Sequence, residues 1–132
     1  MLTTESEDLG EGRVLRVARL GKSSERPPVI LLHGYPDNLQ IWCRLAPLLV
    51  TAGRQVVAFD WPGLGDSSAW PGGATPEHQA KRLVTLLDRW GIAAADLVAM
   101  DMGGQPALAC AALHPARINR LTVMNSLVPM TG

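Results

Sequence analysis

No apolar run in this 132-residue chain approaches the ~20 residues needed to span a bilayer. The opening stretch, Met1 to Gly12, is polar and acidic and lacks the basic-then-apolar order of a signal peptide. Charge of one sign is missing too: 12 basic residues balance 12 acidic ones. That leaves no electrostatic footprint for nucleic acid or an anionic membrane. There are only two cysteines, Cys43 and Cys110, both within apolar segments. The count excludes a disulfide framework and a four-ligand zinc site, so neither a metal nor a cofactor is expected. Two small buried thiols suit a reducing, cytoplasmic compartment. Internal repeats and low-complexity tracts are absent. One further scarcity bears on chemistry. Past Asp101 the chain holds no Asp or Glu, and its only later histidine is His114.

What is present is ordinary for a folded domain. Hydrophobic residues make up 47% of the chain, and domains cluster near ~100–150 residues. Met1 to Glu11 reads as a weak edge strand or a frayed end. Arg13 to Leu20 reads as a half-buried strand. Val29 to Leu32 is a short continuous apolar run, the mark of a strand buried on both faces. Leu39 to Ala52 follows as a helix capped by Asp37 or Asn38, with Pro47 kinking or splitting it. Val56 to Phe59 is a second buried strand. Thr75, Pro76 and Glu77 open a helix whose apolar stripe is Ala80, Leu83, Val84, Leu87 and Trp90, and Gly91 closes it. Leu97 to Met100 is a third buried strand, Gly103 to Leu113 is helical, and Ile118 to Met124 is a fourth strand. This alternation predicts an α/β fold, a mostly parallel sheet flanked by helices. Chemistry in such sheets collects at the carboxyl ends of strands. Three of those ends carry polar turns: His33-Gly34, Asp60 and Asp101.

The third end is the most specific. Ala99-Met100-Asp101-Met102-Gly103-Gly104 lies between a strand and a helix. A side chain presented from a sharp corner needs small residues two positions away on each side, here Ala99 and Gly103. Gly104 lets the helix pack close. Alone, Asp101 reads as a helix N-cap. Beside Gly103, Gly104 and the His33 turn it becomes a nucleophile candidate. His33-Gly34-Tyr35-Pro36 follows the first buried strand directly. His33 and Asp60 read as residues that tie down their turns, His78 as solvated, and His114 as a helix-end residue. Trp61 and Trp70 lie in loops, where they either pack or line a pocket, and Asn125 ends the last strand.

These elements, in order and spacing, resemble the α/β-hydrolase superfamily. Aspartate at the corner makes the chain resemble the epoxide hydrolase and haloalkane dehalogenase branch, from about Gly12 to Met124. The resemblance implies that Asp101 attacks an sp3 carbon and forms an ester, which an activated water then hydrolyses. It implies an oxyanion hole made by the backbone N–H groups of Tyr35 and Met102, with His33, Gly34, Pro36, Gly103 and Gly104 as the supporting turns. It implies a small apolar substrate: an epoxide, a halide or an ester. Met102 stands where dehalogenases have Trp, so the epoxide hydrolase pattern fits better. Met100 and Ala99 depart from the usual His and Gly before the nucleophile.

In the family, the acid and the base come after the strand that ends near Met124, and a cap domain supplies tyrosines. Here Tyr35 is the only tyrosine. The chain therefore resembles the N-terminal half of such an enzyme, a single truncated core over residues 1–132 with no cap domain. The strand at Leu121 to Met124 is then an exposed edge, which predicts a homo-oligomer or a complementary chain. The competing readings are an enzyme completed by a partner, a non-catalytic binding module, and an esterase-like relative with a replaced nucleophile.

Overall fold

The computed structural model describes residues 1–127. Six strands form one sheet in the order β1-β2-β4-β3-β5-β6. They are β1 (Glu5–Gly10), β2 (Arg13–Leu20), β3 (Val29–Leu32), β4 (Val56–Phe59), β5 (Ala95–Met100) and β6 (Ile118–Met124). β1–β2 and β2–β4 pair antiparallel, whereas β4–β3, β3–β5 and β5–β6 pair parallel. The expected mostly parallel α/β sheet is present, and Met1 to Glu11 contains an edge strand.

Side chains alternate across the sheet, so each strand feeds two cores. Ile30 and Leu32 point to one side, with Val57, Phe59, Leu97 and Ala99. That side is covered by α2 (Pro76–Arg89) and α3 (Gly104–Leu113), through Leu83, Leu86, Leu87, Ala107 and Cys110. Val29 and Leu31 point to the other side, with Val56 and Ala58, under Leu39, Trp42 and Ala46. Each buried leucine contributes about 1.5–3 kcal/mol.

Residues 39–52 do not form one helix kinked at Pro47. A 3-10 turn, Leu39–Trp42, is followed by α1 (Leu45–Thr51). The break falls before the proline, at Cys43 and Arg44. Pro47 then sits in the first turn of α1, where its missing N–H costs nothing because first-turn N–H groups have no intrahelical partner. Asn38 caps the 3-10 turn by accepting from the Gln40 N–H at 2.9 Å. α2 begins as its sequence predicts, with Thr75 at the N-cap and Pro76 at the first helical position. Its buried stripe also includes Leu86.

The connectivity positions the site. From β3 the chain moves to β4 on one side and then crosses to β5 on the other. The carboxyl ends of β3 and β5 are thus neighbours across a topological switch point, where open α/β sheets bind ligands. Leu32 pairs with Ala99, so the turns that follow these two residues meet.

Candidate active site

β5 ends at Met100, and the backbone turns sharply at Asp101, whose φ is +52°. A non-glycine residue in this region costs of order 1–3 kcal/mol and persists only where its surroundings hold it. A single 3-10 turn, Asp101–Gly103, leads into α3. A Cβ on Gly103 would lie 2.6 Å from the His33 carbonyl oxygen and 2.9 Å from that of Leu32. One on Gly104 would run into Ser126. The corner therefore packs directly on the end of β3. The Ser126 hydroxyl donates to the Asp101 carbonyl at 2.8 Å and ties the corner to the residues after β6.

The β3 turn reaches across to the Asp101 side chain. The Tyr35 N–H donates to Asp101 Oδ2 at 3.0 Å. Hydrogen bonds from the Tyr35 and then the Met102 backbone hold this carboxyl below its ordinary value, because both favour the charged form. Gly34 makes the approach feasible: a Cβ there would lie 2.5 Å from Asp101 Cβ and 2.6 Å from Oδ2. The Asp37 N–H donates to the Gly34 carbonyl at 3.1 Å and closes the turn, and the Tyr35–Pro36 peptide is cis.

His33 is fully buried beneath this turn. Its Nδ1 lies 2.6 Å from the Gly34 carbonyl, and its Nε2 lies 3.0 Å from the Trp61 N–H. Nε2 therefore accepts, and Nδ1 carries the proton. Burial lowers its proton affinity and keeps the ring neutral. The Trp61 indole N–H donates back to the His33 carbonyl at 2.9 Å. Asp60, also fully buried, accepts from the Leu39 N–H at 2.7 Å and the Asp66 N–H at 2.9 Å. Arg16 approaches Asp60 Oδ2 at 3.4 Å. His33 and Asp60 both bind backbone, as their sequence contexts suggest.

Above the two strand ends lies a cavity of about 430 Å³. Tyr35 and Met102 line it, so the N–H groups that meet Asp101 belong to residues of its wall. Trp61, Leu64 and Trp70 from the loop after β4, and Arg82 from α2, form the rest of its character. Both tryptophans named as pocket candidates are there. Asn125 is not. It is exposed at φ +49°, after β6, on the far side of β5 from that loop. Sequence reasoning missed Arg82 and Gln105, which line the cavity, and Ser126. Arg82 lies between the apolar positions Ala80 and Leu83 of α2, and only the tertiary fold brings it to the loop.

The comparisons with known proteins fit this geometry. The family model described as alpha/beta hydrolase fold matches residues 27–132. The chain belongs to the α/β-hydrolase fold family, and it matches the N-terminal half of that fold. Epoxide hydrolase B of Mycobacterium tuberculosis is 35% identical over 124 residues, 91% of this chain and 34% of that protein. A haloalkane dehalogenase of Psychrobacter cryohalolentis is 31% identical over 125 residues, 92% of this chain and 41% of that protein. The dihydrolipoyllysine-residue acetyltransferase component of the acetoin cleaving system of Pseudomonas putida is 35% identical over 115 residues, 87% of this chain and 30% of that protein. The crystal structure of epoxide hydrolase A from Mycobacterium thermoresistibile superposes with a TM-score of 0.81 at 30% identity, over 93% of this chain and 39% of that one. The chain thus spans roughly a third to two fifths of these relatives. Their differing names show one fold carrying several chemistries, so the site must carry the functional argument.

Proposed function

We propose that Asp101 is a carboxylate nucleophile of the epoxide hydrolase kind. The observation that carries this reading is the held carboxylate: Oδ2 accepts from the Tyr35 N–H at 3.0 Å, from a corner residue at φ +52°. The other oxygen attacks an sp3 carbon. The new C–O bond forms as the epoxide C–O bond breaks, and the resulting alkoxide takes a proton from water. The product is an ester on Asp101. Its carbonyl oxygen stays with the Tyr35 and Met102 N–H donors, which stabilise the oxyanion when water attacks. A haloalkane would react likewise with loss of halide, but Met102 offers no indole N–H to receive it.

The second step needs a base and an acid that orients it. Both nitrogens of His33 are engaged. His78 Nδ1 lies 2.7 Å from the Thr75 hydroxyl at the start of α2, and His114 is the C-cap of α3. Turnover therefore requires groups from outside these residues. Intact-mass measurement after incubation with a styrene-type epoxide tests the reading. The ester adduct should accumulate on the wild-type chain and be absent from Asp101→Asn. A wild-type chain that gains no mass and forms no diol would overturn the proposal. Steady turnover would show that a base is supplied after all, by a residue other than these histidines.

A second reading, a non-catalytic module that pairs through a sheet edge, is favoured by one observation. β6 has no strand on its outer side among the described residues. Both cysteines are free, as in a cytoplasmic protein.

A further inference from the structure

The cavity wall carries a cation with no carboxylate to match it. Arg82 lines the cavity, and no Asp or Glu does among the described residues. Its guanidinium is positioned by neutral partners: Gln79 Oε1 accepts from one terminal nitrogen at 2.8 Å and the Pro71 carbonyl from the other at 3.2 Å. These use two of its five N–H groups. No ion pair to Arg82 occurs among the described residues, as for Arg26, Arg44 and Arg120, whereas Arg13, Arg16, Arg19, Arg54, Arg89 and Arg117 each have at least one. Beside it, Trp70 lies under two guanidinium groups, Arg13 at 5.1 Å and Arg82 at 6.0 Å from the ring centroid. The buried indole N–H of Trp70 has no acceptor. Arg82 thus keeps free N–H groups at the cavity wall, and the indole N–H of Trp70 beside it is buried without an acceptor.

We infer that the cavity selects substrates bearing a carboxylate, held by Arg82 beside Trp70, with the reactive carbon directed past Tyr35 and Met102, which line the cavity, to the Asp101 carboxylate that their N–H groups hold. A guanidinium fork matches the two oxygens of a carboxylate. Charge fixes the orientation. The acid end is attracted to Arg82 and repelled by the Asp101 carboxylate, so a reversed substrate is disfavoured. The apolar body of the substrate lies along Trp61 and Leu64. The selectivity rests on the Asp101 reading for its chemistry, but the binding does not.

Two measurements separate these. In the first, phenylacetate and phenylacetamide are titrated into the 15N-labelled chain, and the Trp70 indole N–H resonance, assigned with Trp70→Phe, is followed. Phenylacetate should shift it and the amide should not. The shift should weaken with salt and vanish in Arg82→Gln. Equal shifts by acid and amide, or no shift, would overturn the inference without recourse to a variant. In the second, the rate of adduct formation is compared between an epoxide carrying a carboxylate and its primary amide. The acid should react roughly tenfold faster or more, the scale of a charged hydrogen bond, and Arg82→Gln should collapse the ratio. Equal rates for acid and amide would defeat the selectivity and leave Asp101 standing as nucleophile. A phenylacetate shift with no adduct from either epoxide would do the reverse.

Discussion

At the scale of single residues, the site depends on atoms that are not there. Gly34→Ala would place a methyl 2.6 Å from Asp101 Oδ2. Either the turn or the carboxylate must move, and the Tyr35 N–H bond breaks. Adduct formation should fall about a hundredfold, the scale of a nucleophile displaced by about 1 Å. Stability should drop by about 1–3 kcal/mol, as overpacking does. Mass spectrometry and thermal unfolding read the two effects separately. His33 adds a pH dependence. Its folded proton affinity is lowered by burial, and protonation would remove the acceptor of the Trp61 N–H. The unfolded chain takes up that proton near pH ~6.5, before the folded one does. The stabilisation is therefore complete above that pH and declines as pH falls toward 5. Asp101 and Glu7, both lowered, contribute only further into acid. Thermal midpoints between pH 7 and 5 should slope less in His33→Gln than in wild type; equal slopes would refute the assignment. Asp101, Gly34 and Gly103 were legible in the sequence because small residues beside a strand end have a steric meaning. Ser126 and Arg82 were not, since nothing local marks a contact across 25 positions or a cation that a fold turns inward.

At the scale of elements, α2 ties the cavity to local sequence. Thr75 is its N-cap and accepts from the His78 N–H at 3.3 Å. Thr75→Ala should cost about 1 kcal/mol, the usual loss of a cap, read as a lower thermal midpoint. Because Gln79 and Arg82 stand on the next turns, fraying there should also raise hydrogen exchange around them more than in α3. The start of α2 was readable because Thr-Pro-Glu states its own geometry. Three strands, β3, β4 and β5, were readable because apolar runs bounded by turns state theirs. The break within residues 39–52 was only half readable. Pro47 announces that one long helix is unfavourable, but the tertiary bond from the Leu39 N–H to Asp60 at 2.7 Å helps place the earlier turn. That partner lies on another strand end, outside any local pattern.

At the scale of the whole molecule, the two sheet edges differ. β1 carries Glu5, Glu7 and Asp8, and Arg19 bonds to Glu5 and Glu7, so this edge is guarded by charge. β6, Ile118–Met124, carries one charge, Arg120, and pairs only with β5 among the described residues. Its unpaired N–H and C=O groups can template another strand. Exposed apolar groups cluster at the same end, with Met124 at 38% and Leu127 at 85% exposure. These features favour association through β6 over association through β1. Light scattering across micromolar concentrations should show a species larger than one chain. Thr122→Lys, which adds a charge to the exposed middle of β6, should shift it toward the monomer. A lysine at Ser6 on β1 should leave it unchanged. A wild-type chain that stays monomeric throughout would refute the edge as an interface. A monomer that still forms the Asp101 ester would separate chemistry from assembly, because the Tyr35, Met102 and Asp101 contacts all lie within one copy.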